Sequence, residues 1–182
     1  TLTQDDGYRL ERRVHDYLLS PQMPTADAEL LGARALSTSS SGADADAVVN
    51  RAPGNGAWAA LDGDPDSAWL PGNLGQESAW WELDLGRTVT AESIRVRVAR
   101  TGQGVAPPRA LRVVTDRGER EVVLDRDAAW STLPLVGGDR GITRVRLEQV
   151  PETGAVATFG LAEVSIPGVR VTRPVVAVPA QD

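Results

Sequence analysis

Leu61-Asp62-Gly63-Asp64-Pro65-Asp66-Ser67-Ala68-Trp69 decides how this chain is read. The stretch holds three carboxylates, one hydroxyl and a turn glycine, and it closes on a large aromatic. Oxygen-rich loops of this composition suit hard cations, and a tryptophan directly behind one suits a core anchor. Asp62, Asp64 and Asp66 alternate as in the first half of an EF-hand. That motif needs glycine at its sixth position and a bidentate glutamate at its twelfth; Ser67 and Asn73 stand there instead, so it is excluded. A solvated Asp/Gly/Pro turn is the plain alternative. It leaves open how three close acids avoid mutual repulsion without a cation or hydrogen bonds.

Downstream lie Trp80-Trp81-Glu82-Leu83-Asp84-Leu85-Gly86 and Gly160-Leu161-Ala162-Glu163-Val164. Between them the pattern is short runs separated by turn signals, predicting strands near 80–85, 93–100, 109–116, 119–124, 129–135, 142–149 and 159–166. Ile94, Val96 and Val98 alternate with Arg95 and Arg97; Val145 and Leu147 alternate with Arg144, Arg146 and Glu148. Such alternation gives each strand one buried and one wet face. Asp116-Arg117-Gly118-Glu119 reads as a hairpin turn and Val136-Gly137-Gly138-Asp139 as a loop. Ala33 to Asn50, with its Ser37-Thr38-Ser39-Ser40-Ser41-Gly42 run, suits a linker or the entry strand and first loop of a sandwich. The second reading is preferred because Ala33-Arg34-Ala35-Leu36-Ser37 leads straight into the acidic stretch.

Tyr8 to Ser20 carries Leu10, Val14, Tyr17 and Leu18 at helical spacing, with Asp5 or Asp6 as cap and Pro21 and Pro24 as stops. The expected organisation is an N-terminal extension with this helix over 1–32, an all-β antiparallel sandwich over 33–169, and an extended Pro-rich tail over 170–182. At 182 residues the chain can bury a sizeable core without staples. No cysteine is present, which excludes disulfides and thiolate metal sites, and the lone His15 excludes multi-histidine centres. All the basic charge is arginine, and the formal net charge of −6 with interspersed signs argues against nucleic acid. No apolar run approaches a membrane span. The chain opens on Thr1, not Met, and is read as a processed or excised piece of something longer.

The three motifs together resemble the discoidin, or coagulation-factor type C, domain, the galactose-binding-like jelly roll that many carbohydrate-binding modules share. That family has an acidic Asp-Gly-Asp/Asn loop with Ser/Thr and then Trp, a strand of the form Trp-x-x-x-Asp-Leu-Gly, and a last strand ending in Glu-Val or Glu-Leu. Here they stand as Asp62-Gly63-Asp64…Ser67…Trp69, Trp80…Asp84-Leu85-Gly86 and Glu163-Val164, and the resemblance covers about residues 33–169. It implies a jelly roll, and it implies a structural calcium ion. Carried over, the calcium ligands are Asp62, Asp64 (carbonyl or carboxylate), Ser67, the carbonyl of Ala59, and Ala162 with Glu163 from the final strand. Asp66 is left to face water. The ending Gly160 to Val169 is similar to modules in actinobacterial arabinofuranosyltransferases, large membrane enzymes with extracytoplasmic β domains. This implies an extracytoplasmic, cell-surface location and a cell-wall glycan such as arabinan or galactan as partner, beside neighbouring domains of a parent protein.

Five tryptophans stand out in a chain with one phenylalanine. Trp69, Trp80 and Trp130 are expected in the core, and Trp81 on the face opposite Trp80. Trp58 matches no family position; it either packs on the acidic loop or stacks on a sugar ring. Asn73, Gln76, Arg100 and Gln103 lie in loops where related modules hold ligand, and their planar polar groups suit sugar hydroxyls. No Gly-x-Ser-x-Gly, P-loop or dinucleotide fingerprint is present, so no catalytic centre is expected. The leading reading is a non-catalytic glycan-binding module. The alternatives are a structural spacer that binds no sugar, and a protein- or phospholipid-binding domain.

Overall fold

The computed structural model describes residues 25–72, 78–100, 107–151 and 159–178. The helix expected over Tyr8–Ser20, and His15 within it, lie outside these residues. The strands, in chain order, are β1 (Thr25–Ala28), β2 (Ala35–Thr38), β3 (Trp80–Val89), β4 (Ser93–Val98), β5 (Ala110–Thr115), β6 (Gly118–Val123), β7 (Ser131–Pro134), β8 (Ile142–Gln149), β9 (Leu161–Ser165) and β10 (Val175–Val178). Each predicted strand is present, and Ala33 to Asn50 supplies the entry strand β2 and the loop behind it. Short 3₁₀ turns at Pro53–Asn55 and Ala57–Ala60 lead into the acidic stretch.

The chain divides into two compact units, Leu30–Arg173 and a smaller one of Thr1–Glu29 with Pro174–Asp182. In the smaller unit β1 and β10 form an antiparallel ribbon, Thr25 opposite Val178 and Ala28 opposite Val175. The larger unit is the sandwich. One sheet runs β2-β3-β8-β5-β6 and the other β7-β4-β9, with every pairing antiparallel.

Alternation decides what enters the core. Trp81, Leu83 and Leu85 of β3, Leu111 and Val113 of β5, and Val145 and Leu147 of β8 point inward from the larger sheet. Ile94 and Val96, Leu133, Leu161 and Val164 come from the smaller sheet, and all belong to one hydrophobic cluster. The residues between them point out and form a charge ladder on the larger sheet. Arg144 pairs with Glu82, Arg146 with Glu82 and Glu148, and Arg112 with Glu148.

The Asp84-Leu85-Gly86 motif has a mechanical explanation. Asp84 Oδ1 accepts the Gly86 N–H at 2.9 Å and Oδ2 accepts Arg34 Nε at 2.9 Å, with Arg34 Nη2 also donating. The pairing of β3 with β8 shifts register between Asp84 and Val89, and Gly86 takes a left-handed φ of 64° there. A Cβ at Gly86 would come 2.9 Å from the Arg34 side chain, so glycine serves both the turn and the close approach. Arg34, first among the causes, and the Gly86 N–H hold the Asp84 carboxyl below its ordinary value.

Two aromatic assignments need correction. Trp81, not Trp80, is the core residue of β3; it is fully buried and its indole donates to Ala57 O at 3.0 Å. Trp80 shares the outward face with Glu82 and Asp84, and the Arg146 guanidinium lies 3.9 Å from its ring centroid. Trp130 is half-buried outside the core, with the Arg95 guanidinium 4.8 Å from its centroid.

Candidate functional site: the acidic loop and the groove beside it

The loop from Asp62 to Ser67 is built from consecutive side-chain-closed turns. Asp62 Oδ1 accepts the Asp64 N–H at 2.8 Å, and Asp64 Oδ1 accepts the Asp66 N–H at 3.0 Å. Gly63 supplies the left-handed φ of 78° between them. The alternate spacing of the aspartates is thus first a turn-building device, and these bonds answer part of the repulsion between them. Asp66 is exposed.

Ser67 is the hub. Its Oγ lies 2.7 Å from Asp62 Oδ2, 3.2 Å from Ala59 O and 3.2 Å from Asp64 O. A serine hydroxyl carries one proton and can satisfy one acceptor at a time. Asp62, the nearest and the charged one, takes it. The two remaining approaches bring oxygen to oxygen with no proton between, which a positive ion at the centre would relieve.

Trp69 fixes the end of the loop. It is fully buried, meets Phe159 edge-on at 5.3 Å between ring centroids, and its Nε1 donates to Ser40 O at 3.0 Å. Its backbone pairs with Leu161, with N–H to O distances of 2.9 and 3.0 Å. Ala162 and Glu163 follow directly on β9. Arg97 pairs with Glu163 and Val98 with Leu161, so Ala162 is an extra residue bulged out of the ladder.

Glu163 lies close enough to the loop for Asp62 to act on it as a like charge. Burial, then Asp62, push its carboxyl above the ordinary glutamate value, and the Gly63 and Val164 N–H groups offset part of this. Asp62 and Glu163 therefore face one another next to a convergence of carbonyl and hydroxyl oxygens. Two carboxylates with several neutral oxygens are the donor chemistry of a calcium site, so the residues named from sequence fit that ion. Among the described residues no group of three or more His, Cys, Asp or Glu side chains is placed to hold a metal ion.

A groove of about 430 Å³ opens on the other side of Ser67, lined by Gly54, Asn55, Asp66, Ser67, Ala68, Leu70, Ala99 and Arg100. A carboxylate and a guanidinium flank a floor of small and apolar groups. Of the residues expected to hold ligand, Arg100 is at this groove. Its Nη2 lies 3.1 to 3.5 Å from the carbonyls of Arg126, Asp127 and Ala128, so that end of its guanidinium staples the β6–β7 loop. Trp58 is half-buried in the 3₁₀ turn and does not line the groove. Asn73, Gln76 and Gln103 lie outside the described residues. Gly54, Asn55 and Leu70 carried no sequence signal, because the groove is assembled from segments that meet only in the fold.

No protein-family model matches the chain. The arrangement of sheets and loops is that of the discoidin-like jelly roll. The lectin domain of lectinolysin, in a structure complexed with Lewis B antigen, superposes with a TM-score of 0.53 at 19% identity over 74% of this chain and 92% of that one. An F5/8 type C domain from Bacteroides fragilis gives 0.53 at 19% identity over 72% and 89%.

Within that class the chain is similar to one stretch of a much larger protein. The α-(1→3)-arabinofuranosyltransferase of Mycolicibacterium smegmatis is 29% identical over 170 residues, 90% of this chain and 12% of that protein. The Mycobacterium tuberculosis counterpart is 29% identical over 158 residues, with 84% and 11% covered. The cryo-EM structure of arabinofuranosyltransferase AftD from mycobacteria superposes with a TM-score of 0.74 at 27% identity, over 87% of this chain and 13% of that one. The chain therefore spans about an eighth of the relatives it matches. No helix among the described residues is long and apolar enough to cross a membrane.

Proposed function

We propose that this chain is a non-catalytic glycan-binding module of a larger extracytoplasmic bacterial protein, a cell-wall arabinofuranosyltransferase. Its partner is a cell-wall glycan such as arabinan or galactan. The observation that carries the reading is the groove beside Ser67, whose lining brings the acceptor Asp66 and the planar donor Arg100 together with polar and apolar groups, a mix that suits sugar recognition. The likeness to a stretch of arabinofuranosyltransferases supports the parent, and the parent supports the extracytoplasmic side.

The acidic loop holds a structural calcium ion in this reading. Asp62 and Glu163 supply the charge, and Ala59, Asp64, Ser67 and Ala162 supply neutral oxygens. When bound, the ion replaces the missing protons around Ser67 and ties the loop to β9. It does no chemistry on the glycan.

Affinity electrophoresis in gels carrying arabinan or galactan tests this, run with calcium and with chelator. Retardation by one of the glycans is expected, and it should persist under chelation at temperatures well below melting. Gly54→Trp should abolish it by filling the groove, since a Cβ at Gly54 meets nothing within 4 Å and leaves the backbone undisturbed. Trp58→Ala tests the remaining aromatic candidate and should leave binding intact. A folded protein that no glycan retards would reject the binding reading in favour of a spacer.

A further inference from the structure

Among the described residues, three outward arginines of the larger sheet are paired, and two of the smaller sheet are not. On the larger sheet Arg112, Arg144 and Arg146 each have a carboxylate within ion-pair distance, and Arg34 beside it pairs with Asp84. On the smaller sheet β4 turns Arg95 and Arg97 outward, about 7 Å apart along the strand, and neither has such a partner among the described residues. Arg97 stands opposite Glu163 across the β4–β9 ladder, but no ion pair joins the two side chains. Asp125 and Asp127 sit in the loop before Trp130, where Asp125 Oδ1 accepts the Asp127 N–H at 3.0 Å.

Arg95 is also pre-organised. Its guanidinium stacks 4.8 Å from the Trp130 centroid, which fixes the fork and leaves its N–H edge for a ligand. Trp130 closes the loop that Arg100 staples through backbone carbonyls. The exposed Thr132 and Ser165 lie opposite Arg95 on β7 and β9 and add a hydroxyl on each side.

We propose that this face is a second binding site, independent of the groove, for an anionic polysaccharide whose carboxylate or phosphate groups are taken by Arg95 and Arg97. A neutral sugar is disfavoured because Arg95 covers the Trp130 ring that would stack on it. A lipid surface or a protein partner needs apolar anchors, yet the exposed large aliphatics Leu31, Val48, Val123 and Val175 all lie off β4, β7 and β9.

The test compares carboxymethyl-dextran with unmodified dextran by calorimetry and affinity electrophoresis, since the two share a backbone and differ in charge. The protein should bind the carboxymethylated polymer at least about tenfold more tightly, the scale of one charge-assisted hydrogen bond. Added salt should weaken that binding. Arg95→Gln with Arg97→Gln should remove the preference, and Arg144→Gln, from an ion pair on the other sheet, should keep it. Trp130→Ala retains both charges but frees the Arg95 fork, and should lose several-fold. Gly54→Trp should leave the preference unchanged, which separates this site from the groove. Unchanged melting temperatures confirm that the Arg→Gln variants are folded. Equal binding to both polymers, a preference that survives the double variant, or binding to phosphatidylserine vesicles instead would each overturn the proposal.

Discussion

Replacing Glu163 with glutamine should reverse the order of two melting temperatures. Glu163 and Asp62 are like charges beside one hydroxyl whose single proton is already claimed. Without a cation the repulsion opposes folding. Glu163 is only half-buried, so solvent screens it and the gain on removal is bounded at about 1 kcal/mol. For a domain of this size that is about 2–4 °C. With calcium the sign changes. Bound to the folded state alone at one hundred times its Kd, the ion stabilises by about 2.7 kcal/mol, or roughly 5–10 °C. Glu163→Gln loses half of the site's carboxylate charge and gains much less. In chelator the variant should therefore melt above the parent, and in millimolar calcium below it. Differential scanning calorimetry of both proteins in both buffers reads this directly. A parent unmoved by calcium, together with a variant no more stable in chelator, would refute the reasoning from Ser67 outward.

Three further outcomes are expected. Trp69→Phe keeps an aromatic against Phe159 but leaves Ser40 O without its indole donor and opens a gap, so urea denaturation should show a loss of about 2–4 kcal/mol. Asp84, depressed chiefly by Arg34, binds its proton less readily folded than unfolded. Its contribution is present above the ordinary aspartate value of about 3.9 and lost as pH falls through the folded value. Arg34→Ala should flatten that acid limb. Arg100→Ala should cost global stability only about 1 kcal/mol, yet hydrogen exchange should rise selectively over Asp125–Ala129, where it holds the carbonyls of Arg126, Asp127 and Ala128.

Much of the sandwich is written locally. Ile94 and Val96 against Arg95 and Arg97, or Val145 and Leu147 against Arg144 and Arg146, fix both the strands and their inner faces, because a two-residue period has only two solutions. The same logic places Trp81 inside. It shares parity with Leu83 and Leu85, and the sequence carried that signal even though a family match pointed to Trp80. Trp130 likewise has the parity of Thr132, opposite to Leu133, and lands outside. The loop was legible as a set of oxygens but not as a hub. That Ser67 faces three acceptors depends on where the 3₁₀ turn delivers Ala59 O. The binding of Arg100 to a loop some 26 residues away has no local trace at all. Nor has the approach of Glu163 to Asp62, since both follow from packing between distant segments.

The ribbon of β1 and β10 has a mechanical consequence. Its two strands run antiparallel, with Thr25 and Val178 side by side at one end and Ala28 and Val175 at the other. A force that parts Thr25 from Val178 therefore loads one residue pair at a time, from Thr25–Val178 to Ala28–Val175, and opens the ribbon as a zipper. Shear across all the pairs at once would resist far more. The ribbon should yield at low force and stepwise, paying out slack as a fuse when its surroundings move.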